Sequence, residues 1–504
     1  VLRQFFLTIV VIAKALSLAL ALSFALSGCE LLTSTQQIST QNPGEQQLNN
    51  PLDPLAVSPL QATALTGQGA LLQASGGRPP YTWAILNGGA GTILPTGHFI
   101  APSQATQTQI QITDVDGNNV VATVNTSNRT KLTTPNDSMF GALWGLQSLV
   151  SLLGFDSDID ALEGWFAGNI QNCSSMTIAV VDSGITLNHP DLATNLWVNP
   201  DEIPNNNLDD DQNGYVDDIN GYDFVNDDKT PNDDNFHGTH VSGTIAAAGN
   251  NNTGVTGLCW VARVMSVKIA DSLGNITSFD AALGIEYASD NGAFVSNHSW
   301  GGGGSDPTIT AAVLAARNNG HLMVVAAGNG NPQTGIGFDA DLPANLQILP
   351  GINADNIIAV ASSREPTNQL SSFSNFGAQS IDVVAPGELI RSSFPTAVTP
   401  GLTDLAGDLG VNVNSLLNYF TISGTSMATP HVTGVAALIK SKFPNFTYTQ
   451  VRDLILNRVE KIPQFLGKVS SGGRVDLYNV FGSYFTKPAI LQIQTAIVID
   501  PGNK

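Results

Sequence analysis

The sequence predicts an α/β domain with a central parallel sheet covered by helices on both faces, preceded by a small β-sandwich. Two textures in the chain carry that prediction. Beyond about residue 134, short apolar runs alternate with stretches at helical spacing: a strand at Val264 to Ile269, a helix around Phe279 to Ser289, a strand at Ala293 to Ser299, a helix around Ile309 to Asn318, and a strand at Leu322 to Ala327. Strands apolar along their whole length are buried on both faces, and strand–helix alternation requires parallel crossovers. From about Ala56 to Ser127 the texture is different. Ala64 to Ala74, Tyr81 to Ile85, Gln107 to Thr113 and Val120 to Val124 are short alternating runs broken by Gly, Pro and Asn, as in a sandwich of short strands.

In chain order, Arg3 and Lys14 flank apolar sequence, and Ala15 to Leu26 is an uninterrupted small and apolar run, too short for a spanning helix. It ends in Leu26-Ser27-Gly28-Cys29, which resembles the lipobox of bacterial lipoproteins. The resemblance implies a signal peptide over 1–28 and a lipidated Cys29 at the mature N-terminus. An ordinary signal peptide is the alternative, and both imply export. Glu30 follows Cys29, so the resemblance implies the outer membrane if the cell is diderm. Residues 29–56, rich in Gln, Asn, Ser, Thr and Pro, read as a flexible tether. Residues 57–127 are the sandwich, where Gly76 to Trp83 resembles the opening of bacterial Ig-like modules; a β-rich inhibitory propeptide is the alternative.

Three later runs carry chemistry: Val180-Val181-Asp182-Ser183-Gly184, His237-Gly238-Thr239-His240, and Gly424-Thr425-Ser426-Met427-Ala428. A serine hydroxyl is a weak nucleophile at neutral pH. It needs an imidazole to take its proton and a buried carboxylate to orient that imidazole. Asp182 follows an apolar β-branched run, Thr177 to Val181, and so is expected at a strand's carboxyl end. His237 and Ser426 each precede helical spacing and are expected at helix N-termini. There the Ser426 N–H could face a developing oxyanion. The run Leu322 to Asn329 reads as a buried strand ending in Gly-Asn, which offers the Asn329 amide as a second donor. An α/β-hydrolase is disfavoured, because the serine run lacks the second glycine of a nucleophile elbow and the order is Asp, His, Ser.

These runs, in this order, resemble the subtilisin-like (subtilase) serine peptidases. Ser296 to Gly302 resembles the family's substrate-binding strand, and Gly472 to Asp476 the end of its catalytic domain, so the resemblance spans roughly 134–485. It implies a serine endopeptidase over 128–485, followed by a tail, 486–504. It also implies catalytic Asp182, His237, Ser426 and Asn329, and substrate contacts at Ser299, Trp300, Gly301, Gly302, Ala327 and Gly328. The small residues there suggest an open pocket for broad or apolar P1 side chains. Cys173 and Cys259 each lie four residues before a predicted strand. In the subtilase sheet those strands are parallel neighbours, so the resemblance implies a possible disulfide; two buried thiols are the alternative.

The chain of 504 residues carries a net charge of −21, which argues against a general nucleic-acid surface. Protein or peptide substrates, a membrane contact only through Cys29, and a monomer are expected. Much of the acid lies between Asp201 and Asp234, twelve carboxylates against one lysine. Within it Asp209, Asp211, Asn213, Tyr215, Asp217 and Asp218 place oxygens at calcium-loop spacing around Gly214. Calcium is therefore the expected cofactor, a structural one. Asn220 stands where an EF-hand has its bidentate Glu, which leaves the last ligand open.

Overall fold

The computed structural model describes residues 54–481, apart from 59, 66–68, 96, 101, 103–105, 128–133, 149–155, 332 and 343. The expected signal peptide, Cys29, nearly all of the expected tether and the C-terminal tail lie outside the described residues. The chain divides into two compact units, with the division near residue 129.

The first unit is a small β-sandwich. Four strands, Gln61–Leu65, Asn119–Ser127, Thr106–Thr113 and Thr82–Ile85, form one sheet in that spatial order. Gly69–Leu71, His98–Ile100 and Thr92–Ile93 form another, and Ala56–Ser58 pairs with Gln73–Ser75. The alternation in Thr106–Thr113 sends Ile110 and Ile112 inward to meet Val57, Leu72, Phe99, Ala122 and Val124. The expected strand from Ala64 to Ala74 is three short strands.

In the second unit the strands are β1 (Thr177–Asp182), β2 (Gly221–Asp223), β3 (Val264–Lys268), β4 (Ala293–His298), β5 (Leu322–Ala326), β6 (Ile357–Arg364), β7 (Gln369–Leu370), β8 (Val383–Pro386), β9 (Ile390–Ser393), β10 (Tyr419–Ile422), β11 (Glu460–Lys461) and β12 (Gly473–Arg474). The main sheet runs β2-β3-β1-β4-β5-β6-β8-β12-β11, parallel as far as β12, with β7 an antiparallel hairpin partner of β6. After β1 the chain first builds β2 and β3 to one side, then β4 onward to the other. That makes β1 the point where strand order reverses. In open parallel sheets ligands collect at the carboxyl ends of the strands beside such a point.

The helices are α1 (Ala161–Gly168), α2 (His237–Ala246), α3 (Ser278–Asp290), α4 (Pro307–Asn318), α5 (Pro400–Leu409), α6 (Thr425–Lys442), α7 (Tyr448–Asn457) and α8 (Leu477–Phe481). The period of two in β1 assigns its faces. Ile178 and Val180 pack with Val241 and Ile245 of α2 and Val432 and Val435 of α6, while Ala179 and Val181 pack with Ala281 and Ile285 of α3. Asp306 caps α4 by accepting the Thr308 and Ile309 N–H groups, with Pro307 at the first helical position. Cys173 and Cys259 form a disulfide, Cα atoms 5.6 Å apart.

Candidate active site

Asp182 is the last residue of β1, at the reversal point, and is 3% exposed. Its Oδ1 accepts the Ser183 N–H at 2.8 Å and lies 2.8 Å from His237 Nδ1. His237 opens α2, with about a quarter of its side chain exposed to the cleft. Burial pushes its pKa down, but the charge and hydrogen bond of Asp182, joined by the charge of Asp233, outweigh that, and the net shift is upward.

Ser426 stands in the first turn of α6, which packs against α2. Its hydroxyl donates to the Ser299 carbonyl at 2.8 Å, not to His237. The local chain explains how this turn is held. Pro430 lies inside α6 and has no N–H to give the Ser426 carbonyl one turn back. Ser299 Oγ takes that place, donating to the Ser426 carbonyl at 2.8 Å, while Asn297 Nδ2 donates to Ser299 Oγ at 2.8 Å.

Asn329 follows β5. Its Oδ1 accepts both the Thr425 N–H, at 2.8 Å, and the Thr425 hydroxyl, at 2.9 Å. A backbone N–H demands an acceptor, so this contact fixes the amide orientation and leaves Nδ2 as a free donor. A methyl group built on Gly424 would lie 3.6 Å from Asn329 Nδ2 and 3.6 Å from the Ser426 N. The two donors therefore border one small space beside the serine.

Trp300 turns its ring inward: Nε1 donates to the Val181 carbonyl at 3.0 Å, so it can meet a substrate through its backbone. Gly302 faces open space. Gln347, which the sequence did not flag, lies beside the other glycines. Its Oε1 would be 3.1 Å from a methyl on Gly301, and its Cγ 2.9 Å from one on Gly328. Its backbone pairs with Gly303, and the Ile348 N–H donates to the Gly302 carbonyl. The pocket expected to be open thus carries a carboxamide at its edge. The long connection before Ser426 contains α5, anchored near the histidine by Thr399 Oγ1 to the Asn235 carbonyl and by the Gly401 N–H to the Asp234 carbonyl.

This array of a carboxylate, an imidazole, a serine and two paired donors at the carboxyl edge of a parallel sheet has a family counterpart. The model of the subtilase family matches residues 174–479. The chain belongs to the subtilase family of serine-type endopeptidases. It is 35% identical over 347 residues to thermitase of Thermoactinomyces vulgaris, a match covering 68% of this chain and 98% of that one. It is 35% identical over 347 residues to the thermophilic serine proteinase of Bacillus sp. (strain AK1), covering 69% of each. Subtilisin-like protease 1 of Plasmodium vivax is 33% identical over 359 residues, 68% of this chain; the chain spans about half of that relative's length. Among solved structures, a protease from Pseudoalteromonas arctica aligns with a TM-score of 0.51 at 27% identity, covering 69% of this chain and 99% of that one.

The acidic loop before His237 is arranged differently from its sequence spacing. Asp217 turns away: its oxygens accept the Asn206 and Asn207 N–H groups, and Lys229 Nζ lies 2.7 Å from Oδ2. That lysine is the leading cause of its lowered pKa. Asp218 is buried and receives Asn199 Nδ2, Asn213 Nδ2 and the Tyr287 hydroxyl. Burial nonetheless leaves its pKa raised. The carboxylates that converge are Glu202, Asp209 and Asp211, with ligand oxygens within 4.8 Å of one another. Glu202, seven residues upstream of the loop, was not read from the sequence. This hard, anionic oxygen set suits calcium. A second acidic pair, Asp137 and Asp191, holds the Asn250–Val255 loop through backbone N–H groups, and burial, with a contribution from Asp191, raises the Asp137 pKa.

Proposed function

We propose that this chain is an exported, lipid-anchored serine endopeptidase that works through Asp182, His237 and Ser426 and is stabilised by calcium. The 2.8 Å contact between Asp182 Oδ1 and His237 Nδ1 carries the reading. It fixes the proton on Nδ1 and leaves Nε2 as the base. An extended substrate pairs with the backbone at Ser299 to Gly301, and its N–H competes for the Ser299 carbonyl that the free enzyme gives to Ser426. The released hydroxyl attacks the scissile carbonyl and its proton passes to His237. The oxyanion meets Asn329 Nδ2 and the Ser426 N–H. His237 then protonates the leaving amine as the C–N bond breaks, and water hydrolyses the acyl-enzyme.

Glu202, Asp209 and Asp211, with Asp218 and Asn213 beside them, are the residues that would hold calcium, and their loop, so held, would be pinned between Asp182 and His237. The N-terminal sandwich is an Ig-like module that follows Cys29 and its tether in the chain and precedes a peptidase domain spanning 128–485. Among the described residues no helix is long and apolar enough to cross a membrane. The lipid anchor proposed rests on the run Leu26-Ser27-Gly28-Cys29.

The test is casein hydrolysis by protein lacking residues 1–28, with and without calcium, beside Ser426→Ala and a fluorophosphonate label. Cleavage that depends on Ser426, with the label on Ser426, is the expected result. Cleavage that survives Ser426→Ala, or no cleavage and no label, overturns the reading. An anchor is tested separately, by mass spectrometry of Cys29 in membranes from the native host; an unmodified cysteine there refutes it.

A further inference from the structure

Behind Asp182 lies a second carboxylate for which the mechanism above has no use. Asp233 is 1% exposed and accepts four hydrogen bonds. Its Oδ1 receives the Ser183 hydroxyl at 2.9 Å and the Asn235 N–H at 3.0 Å. Its Oδ2 receives the Thr239 N–H at 3.0 Å and the Thr239 hydroxyl at 2.5 Å. Ser183 Oγ also accepts the Gly238 N–H at 3.0 Å. Ser183 follows Asp182, and Gly238 and Thr239 follow His237. One carboxylate therefore grips, one oxygen each, the turn that carries the aspartate and the helix that carries the histidine.

Fastening alone does not call for a charge, and this one is costly. Two buried carboxylates so close repel, and burial, less the gain from its donors and with Asp182 adding to it, pushes the Asp233 pKa up to about 6. The charge has a counterpart only when His237 is protonated. The titratable groups facing His237 are Asp182, Asp233 and His240. Burial is the leading cause that brings His240 down to about 3, so it stays neutral and adds no charge. Lys268 Nζ lies 3.2 Å from the Ser183 carbonyl and 2.7 Å from Asp234 Oδ1, so its charge is paired with Asp234.

We propose that Asp233 is a positioning residue: it locks the Asp182 turn to the His237 helix and presents a second negative charge to the imidazolium formed when Ser426 gives up its proton. The inference rests on the proposed triad. Its electrostatic half is open to a measurement that needs no catalysis.

The experiment titrates the His237 ring by NMR of histidine-labelled full-length protein between pH 4 and 9, in wild type and Asp233→Asn. It is paired with pH profiles of kcat/KM normalised to fluorophosphonate-titrated sites. Removing a negative charge that favours imidazolium lowers the His237 pKa. Asp233→Asn is expected to move both the NMR midpoint and the acid limb to lower pH, by about half a unit or more. It is also expected to lower kcat by about ten-fold or more while leaving KM within about two-fold. Coincident titrations in the two proteins overturn the proposal. Should Asp233→Asn fail to fold, Ser183→Ala and Thr239→Val each cut one grip and keep the carboxylate. Each is expected to lower kcat several-fold at unchanged KM and leave the midpoint in place; wild-type kcat in both overturns the proposal. A wild type without serine-dependent cleavage refutes the proposed function instead, and the NMR comparison still decides the role of Asp233's charge.

Discussion

Ser299→Ala separates a structural duty of the substrate-binding strand from its contact with substrate. Ser299 Oγ donates to the Ser426 carbonyl and accepts from Asn297 Nδ2, both at 2.8 Å and both buried. Alanine leaves two buried polar groups without these partners, at about 1–3 kcal/mol each, so the variant should lose about 2–6 kcal/mol of stability. The cost exists because Pro430 cannot donate to the Ser426 carbonyl. Pro430→Ala supplies the missing N–H, so Ser299→Ala should cost about 1 kcal/mol less in that background. The assay is guanidinium unfolding of the four proteins of the cycle, all carrying Ser426→Ala. That substitution prevents self-digestion and leaves the carbonyl in question untouched. Additive losses would show that Ser299 and Pro430 do not act on the same carbonyl and would refute the account of this turn.

Asn329→Asp keeps an acceptor for Thr425 but removes the Nδ2 donor, so kcat should fall about 100 to 1,000-fold with little change in KM, the range measured for such an asparagine in subtilisin of this same family; a loss under about ten-fold would remove Asn329 from the oxyanion site. Chelation should lower the melting temperature and speed self-digestion, and Glu202→Gln should weaken calcium retention more than Asp217→Asn, because Glu202 belongs to the converging cluster and Asp217 is held by Lys229; the reverse order, read by calcium titration calorimetry, would refute the assignment. Protonated His237 cannot take the Ser426 proton and its pKa is raised, so kcat/KM should climb with pH through a midpoint above the roughly 6.5 of free imidazole; an acid limb below that value would contradict the influence of Asp182 and Asp233.

What could be read from the sequence was local. The parallel sheet covered by helices followed from alternating strand and helix patterns and the family from the resemblance of a few short runs, and Asp182, His237, Ser426 and Asn329 each sit at an element end that a few neighbours specify. The structure brings Asp182 and His237 into contact and sets Asn329 against the turn of Ser426. What escaped depends on segments that meet only in the fold. Asp233 reaches back fifty positions to Ser183, and Gln347 meets Gly301 across the sheet edge. Glu202 joins the acidic loop from outside its spacing pattern. Asp217 satisfied that pattern and was drawn off by Lys229, twelve residues on. Helix α5 was not among the expected elements although its sequence carries a local signal: Pro400 at its start and Leu402, Ala406 and Leu409 at helical spacing.

The side chains around the nucleophile also show why a family motif is longer than its catalytic residues. Thr425 orients the Asn329 amide, Pro430 frees the Ser426 carbonyl, and Ser299 caps it. None of these three supplies or takes a proton in the reaction. Thr425 and Ser299 settle donors and acceptors that burial would leave unpaired, Pro430 opens the carbonyl that Ser299 fills, and together they fix where Ser426 and its proposed oxyanion donors point. The resting serine hydroxyl is given to the Ser299 carbonyl, the atom with which an extended peptide is proposed to pair. In the proposed mechanism a substrate N–H and the Ser426 hydroxyl address the same carbonyl oxygen, whose two lone pairs can hold both, so main-chain pairing weakens the resting contact and eases the hydroxyl toward His237.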